Sequence, residues 1–181
     1  GRGFQSYKRP TLLRRLTHRM RLVGIPTPTA YMRKLRTDPL EVLTLADHFL
    51  VTVTGFFRDP EVYEALSKVV IPRLFDEKGP AQAVRVWCAA CATGEEAYSL
   101  AMLLLEEAAR RDLAPAVRVF ASDLQTRTVD AARTGLFPSE IEAQVRPDRL
   151  ERFFVQEGPR YRARRELREV IVFSPHDLLR D

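Results

Sequence analysis

The spacing of hydrophobic positions changes character along the chain, and the changes outline its elements. Between residues 11 and 23, Leu12, Leu13, Leu16, Met20 and Val23 gather within an arc of about 100° at helical spacing, and Arg14, Arg15, His18, Arg19 and Arg21 take the opposite side. Gly24, Pro26 and Pro28 end that pattern, and a short helix is predicted over 29–35. Asp38-Pro39-Leu40-Glu41 reads as a helix start, with Asp38 as N-cap and Pro39 in the first turn, running to about Leu50. Asp59-Pro60-Glu61 predicts another start by the same chemistry, running to about Phe75 and disturbed at Pro72. From Val84 the period becomes two: Val84, Val86 and Cys88 alternate as a buried strand, and 117–122 repeats the pattern. Helical spacing over 97–109 and 126–134 completes a βαβ unit. Past Gly135 the rhythm breaks into short helices over 139–145 and 148–154, then three short strands near 154–155, 160–164 and 168–173. The polar stretch 76–83 is read as a linker between a helical domain, 1–75, and an α/β domain, 84–181. The fold class expected is α+β, with a small antiparallel β subdomain at about 139–169.

Chemistry concentrates where the first strand meets its helix. Small residues, Ala89 to Thr93, lead into Gly94 and then into Glu95 and Glu96 in the first helical turn. A strand, a small-residue turn and a helix N-terminus together let a ligand touch backbone N–H groups. Asp123 ends the second strand, where an acid can hold a ribose diol. A dinucleotide loop would carry three glycines and this one has only Gly94, which favours a nucleoside without a pyrophosphate.

Val86-Trp87-Cys88-Ala89-Ala90-Cys91-Ala92-Thr93-Gly94-Glu95-Glu96-Ala97-Tyr98-Ser99 resembles the cofactor loop of the chemotaxis receptor methyltransferases of CheR type. Thr54-Gly55-Phe56-Phe57-Arg58-Asp59-Pro60, Phe120-Ala121-Ser122-Asp123, Gly1-Arg2-Gly3-Phe4 with Tyr7-Lys8-Arg9, and Val172-Phe173-Ser174 with Asp177-Leu178-Leu179 are similar to that family too, in its order. The resemblance implies a helical domain followed by a partial Rossmann-like methyltransferase domain. It implies S-adenosylmethionine as cofactor, S-adenosylhomocysteine as product, and methyl-ester formation on glutamates of a receptor's cytoplasmic domain. Glu96 and Asp123 would meet the adenosine part, Thr52, Thr54 and Arg58 the methionine end, and Asp177 and Leu178 the adenine. Arg58, matching the family's arginine, is the candidate catalytic residue, able to pair with a carboxylate. Relatives that grip a receptor's C-terminal peptide have a longer glycine-containing loop where this chain has the short 156–161, which argues against tethering. The chain looks like the first two-thirds of such an enzyme. That leads to the expectation of an inactive fragment whose last sheet edge, around 170–173, invites self-association.

Charge sharpens the partner expected. Residues 1–36 carry ten basic and no acidic residues, while 37–181 carry 19 basic and 24 acidic ones, so the net +5 belongs to one segment. Arg14, Arg15, Arg19 and Arg21 are therefore candidates for docking an acidic receptor surface. A nucleic-acid module would need more than Phe4 and Tyr7 beside those arginines. No apolar run reaches the ~18 residues of a membrane span, and a cytoplasmic protein is expected. Cys88 and Cys91 form C-x-x-C, for which redox or metal roles compete with simple filling of a tight loop. The rival reading of the whole is a non-catalytic signalling module that binds S-adenosylmethionine or S-adenosylhomocysteine.

Overall fold

A computed structural model describes residue 4 and residues 7–50, 53–78, 82–111 and 117–178. The chain divides into two compact units, Gly1–Thr52 and Val53–Asp181.

The described residues of the first unit form three helices: α1 Arg9–Leu22, α2 Pro28–Thr37 and α3 Pro39–Phe49. Each has proline in its first turn, where a missing N–H costs nothing. The Asp38 side chain accepts from the Glu41 N–H at 3.1 Å, the cap expected from the sequence. Met20, Tyr31 and Leu45 form the core, with Leu16, Val23, Ile25, Leu35 and Phe49 packed around it. The inward stripe of α1 differs from its apolar arc. Leu13 is exposed, whereas Arg15 and Arg19 are half-buried. Arg19 makes a two-pronged pair with Glu41, Nε to Oε1 at 2.9 Å and Nη2 to Oε2 at 2.8 Å, and the Tyr31 hydroxyl donates to Glu41 Oε1 at 2.6 Å. Arg15 Nη1 donates to the carbonyls of His48 and Leu50 at 2.9 and 3.4 Å.

His18 Nδ1 and His48 Nε2 lie 3.1 Å apart, with the two rings parallel. Burial pushes the His48 imidazole below its ordinary value, and the charges of His18, Arg15 and Arg19 add to that. A histidine depressed in the folded state binds its proton more readily when unfolded, so its contribution to stability is complete above pH ~6.5 and is lost as pH falls. Lowering the pH from 7.5 to 5.5 is therefore expected to lower the amide protection factors across α1–α3, each taken against the intrinsic exchange rate at that pH, and His48→Gln should flatten that dependence. An unaltered profile in the variant would remove His48 as its source.

The second unit begins with the segment 53–75, which the sequence reading assigns to the helical domain. Phe56, Tyr63, Ile71 and Phe75 enter the second core, so the expected linker falls inside this unit. Helix α4, Pro60–Ala65, passes through a π turn, Leu66–Val70, into α5, Ile71–Asp76. The wide turn immediately before Pro72 accommodates the residue that lacks an N–H. Asp59 does not cap α4 as expected: it stands at φ 58° with no side-chain cap bond.

Three parallel strands follow: β1 Val84–Ala89, β2 Val117–Asp123 and β6 Ile171–Pro175, in the order β1-β2-β6. Helices α6 Glu95–Arg110 and α7 Thr126–Thr134 pack on the sheet. The buried residues of α6 include Tyr98, Ala101, Met102 and Leu104. Across the strands Trp87, Phe120 and Val172 stand in register and remain exposed. Among the described residues β1 and β6 each have one neighbour, so both are edges.

The small antiparallel sheet exists, but with a different third strand. Its order is β3 Leu136–Pro138, β5 Arg160–Ala163, β4 Phe154–Glu157. The expected strand over 168–173 resolves instead into α9, Arg165–Glu169, and the main-sheet strand β6. Leu167 is fully buried there and Arg165 pairs with Glu169 one turn on, which suits a helix. The short helix α8, Pro147–Phe153, leads into β4. No helix among the described residues is long and apolar enough to cross a membrane.

Candidate functional site

The C-terminal ends of parallel strands in an open sheet collect the loops that bind ligands. Here they bring together Ala89–Gly94 after β1, Asp123 at the end of β2, and His176–Leu178 after β6. The His176 N–H donates to the Asp123 carbonyl at 3.0 Å. The loop after β1 turns sharply: Ala90, Ala92 and Gly94 have φ of 57°, 47° and 98°. Two alanines in the left-handed region store strain of a kind found at binding sites. The Cys91 N–H donates to the Ser122 carbonyl at 2.9 Å and the Gly94 N–H to the Cys91 carbonyl at 2.8 Å.

Asp123 ties this loop down. Its Oδ2 accepts from the Ala92 N–H at 2.9 Å, and its Oδ1 from the Gln125 N–H at 2.9 Å and the Thr128 hydroxyl at 3.4 Å. A carboxylate has about four lone-pair positions, two on each oxygen, so Oδ2 keeps one for a hydroxyl of a diol. Glu95 is engaged by the Thr93 hydroxyl at 2.7 Å, while Glu96 is exposed on the helix start. Trp87 is 57% exposed, donates from its indole to Ser122 Oγ at 3.0 Å, and meets the His176 ring edge-on at 5.7 Å. Among the described residues His176 Nδ1 has no hydrogen-bond partner although it is buried.

Beside the strand ends lies a cavity of about 270 Å³ whose lining includes Arg58, Tyr63, Trp87, Ala89 and Glu96. Arg58 is exposed and its Nη1 donates to the Val53 carbonyl at 3.1 Å. Thr54 is half-buried on the same loop, as is Asp177 after β6, and Leu178 is 55% exposed. The structure thus brings Arg58 and Glu96 to one cavity and Asp123 and Asp177 to the adjoining strand ends. Thr52 lies outside the described residues. A larger cavity of about 780 Å³ lies elsewhere, among Arg152, Arg162, Arg164, Arg165 and four glutamates of the small subdomain. It has none of the strand-end features, and Arg162 and Arg165 are already paired with Glu157 and Glu169.

Burial pushes the Cys88 and Cys91 thiols up to about 12, with the nearby carboxylates adding to it. That disfavours the thiolate on which C-x-x-C chemistry depends, and both side chains are buried in the packing of the loop and first strand. Of the docking candidates, Arg14 and Arg21 are exposed, while Arg15 and Arg19 are spent on α3 as described above. The sequence did not single out Trp87, Tyr63 or His176. An aromatic residue at an outward strand position beside the small-residue loop was the available signal for Trp87. His176 acquires its place only through the pairing of β6 with β2.

The donor set suits a nucleoside bearing an amino-acid tail: carboxylates for hydroxyls, an aromatic surface, an orphaned ring nitrogen, and an arginine for a carboxylate. Comparison with known proteins agrees. Residues 52–181 match the family described as CheR methyltransferase, SAM binding domain, and residues 1–50 its all-alpha domain. S-adenosylmethionine is thus the cofactor of the second unit. The chain is 39% identical over 179 residues to an uncharacterized 104.1 kDa protein of Rhodobacter capsulatus, covering 99% of this chain and 19% of that one. It is 32% identical to chemotaxis protein methyltransferase 2 of Pseudomonas aeruginosa, over 91% of this chain and 58% of that one. It is 31% identical to the chemotaxis protein methyltransferase of Escherichia coli, over 96% and 60%. The chain therefore spans about 60% or less of the length of these relatives.

Proposed function

Because this chain belongs to the CheR methyltransferase family, we propose that the protein it represents methylates glutamate side chains of chemotaxis receptors in the cytoplasm. The observation that carries this reading is the meeting of Asp123, Glu96 and the strained Ala89–Gly94 loop beside a cavity lined by Arg58. When bound, S-adenosylmethionine supplies a methyl group activated on a sulfonium. A glutamate carboxylate, with an ordinary pKa near 4.3, is already the nucleophile at pH 7, so no general base is needed. The task of this chain's residues is orientation and exclusion of water. Asp123 and Glu96 take the ribose and adenosine side. Arg58 holds a carboxylate, that of the cofactor or of the substrate. Tyr63 and Leu66 wall the cavity. Burial raises the Tyr63 phenol, so it remains a neutral donor.

Docking on an acidic receptor surface is assigned to Arg14 and Arg21. A second copy pairing along the edge of β6 would make sedimentation depend on concentration, and a constant coefficient over a hundredfold dilution would dismiss it.

Calorimetry is expected to show S-adenosylhomocysteine binding to this chain and NADH failing to bind. Asp123→Asn should weaken the former by roughly tenfold to a hundredfold, as for a charge-assisted hydrogen bond. Unchanged affinity in a folded variant would sink the ribose role of Asp123. Labelled methyl appearing in base-labile esters on receptor, in a reaction run with the full-length protein, tests the substrate. Stable label would point to another acceptor chemistry.

A further inference from the structure

The turn that carries Arg58 is held in an unusual backbone conformation. Phe57 and Asp59 stand at φ 47° and 58°, where a bulky residue such as phenylalanine is rarely found. Such a conformation persists only when its surroundings over-determine it. Here groups remote in sequence do so. The Phe56 N–H donates to Gln144 Oε1 at 2.8 Å. The Phe57 N–H donates to Ser99 Oγ at 3.0 Å, and the Ser99 hydroxyl itself donates to the Glu95 carbonyl at 2.7 Å, which fixes its lone pair. The Phe56 ring lies edge-on to Phe137 of β3 at 4.8 Å and Phe154 of β4 at 5.7 Å. The Arg149 guanidinium covers the Phe57 ring at 4.5 Å and is locked onto Glu106 of α6 through two bonds of 2.7 and 2.8 Å. Gly55 permits the approach of Gln144, since a Cβ there would come within 3.0 Å of Oε1.

Gln144 is the one of these groups that packing does not require. It is exposed at the end of the short 3₁₀ turn Ser139–Ala143, and its acceptor oxygen reaches a backbone N–H of a strained turn 88 residues away. We infer that Gln144 is a positioning residue: by holding the Phe56 N–H it sets the 55–59 turn and so the direction in which Arg58 presents its guanidinium to the cofactor cavity. The small antiparallel subdomain then acts on the cofactor site from behind, through one amide side chain and the Phe56 ring. The inference rests on the proposed reading of Arg58 as a group facing the methionine end of the cofactor.

The test is S-adenosylhomocysteine affinity, by calorimetry, for the chain, Gln144→Ala, Gln144→Glu, Arg58→Ala and the double variant Gln144→Ala with Arg58→Ala. Gln144→Ala should weaken binding about three- to tenfold, the range of one neutral hydrogen bond. Gln144→Glu keeps an acceptor oxygen and should restore the affinity. In the Arg58→Ala background the alanine at 144 should cost nothing further, because its effect passes through Arg58. Thermal unfolding of Gln144→Ala should lie close to that of the parent, which a merely structural role would not allow. Equal affinity in Gln144→Ala, or losses that add in the double variant, would overturn the role of Gln144 while leaving the cofactor site standing. An unaltered affinity in Arg58→Ala would overturn both the role of Arg58 and the inference. No binding by the parent chain would overturn the cofactor site itself.

Discussion

Replacing Arg19 with alanine is expected to unfold the helical unit, or nearly so. Glu41 is 5% exposed and Arg19 20%, so the pair is largely removed from water. Arg19 holds the Glu41 carboxyl below the usual carboxylate range, against the burial that would raise it, and Tyr31 assists. Without the guanidinium, a buried carboxylate keeps only the Tyr31 hydroxyl and the loss should be about 3–5 kcal/mol. For a three-helix unit with a core of Met20, Tyr31 and Leu45, that is a large share of the total stability. Arg14→Ala, by contrast, removes an exposed side chain and should stay within about 0.5 kcal/mol. Amide exchange over α1–α3 distinguishes the two. The double variant Arg19→Met with Glu41→Gln should recover much of the loss, because it removes both charges and still leaves Tyr31 an acceptor. If Arg19→Ala exchanges as slowly as the parent, the pair is not what joins α1 to α3. This expectation also reassigns charge. Under the proposed function, a defect in receptor methylation after changing Arg15 or Arg19 would report on folding of the unit, whereas the same defect from Arg14 or Arg21 would report on docking.

Much of this was legible in the residues, and the misses have physical causes. Asp38-Pro39 announced α3 because capping is local chemistry. The strands β1 and β2 and the helix between them followed from a clean change of period. Arg19 was misplaced because only apolar residues were counted toward the buried face. At 100° per residue it falls about 20° from Leu12, and the series 12, 15, 16, 19, 20, 23 is an unbroken helical stripe. Glu41, one of three acids in the first unit (with Asp38 and Asp47) that follow the acid-free residues 1–36, was the available hint that one of these arginines turns inward. Strand β3 is three residues long and ends in proline, too short for alternation to register. Asp59 had the composition of a cap, yet the tertiary hold on Phe56 and Phe57 put it in the left-handed region instead. At the candidate site, Asp123, Glu96 and Arg58 were visible as residue types at the ends of elements. The closure of Asp123 on the Ala92 N–H, and the link of Gln144 to Phe56, were not visible. Both join positions far apart in the chain, and no local pattern records such a pairing.

Gly94 is the position in the loop after β1 where substitution should be felt most strongly. It stands at φ 98°, outside the range that residues with a Cβ adopt comfortably. A Cβ there would also come within 2.9 Å of the Ala132 Cβ on α7 and 3.3 Å of the Phe173 ring on β6. Neither neighbour can swing aside. Ala132 has no side-chain torsion, and Phe173 is buried in the core. Backbone strain of about 1–3 kcal/mol and overpacking of about 1–3 kcal/mol should act together in Gly94→Ala. Gly24 provides the comparison within the same molecule. It too has a positive φ, 70°, but a Cβ there would meet nothing within 4 Å. Gly24→Ala should therefore suffer the backbone part alone. The larger cost at Gly94 falls on the helix α6 start and on the hydrogen bond of its N–H to the Cys91 carbonyl. The strained Ala90 and Ala92 and the tie to Asp123 depend on the same turn. Gly94→Ala is thus expected to lower stability by several times the loss at Gly24, and to abolish measurable S-adenosylhomocysteine binding even where the chain remains folded. Chemical denaturation of the two variants, followed by calorimetry below the transition, measures both effects. Equal destabilisation at the two glycines would mean that α7 and β6 can yield around residue 94, and retained binding would mean that the loop does not need its present path to hold the cofactor.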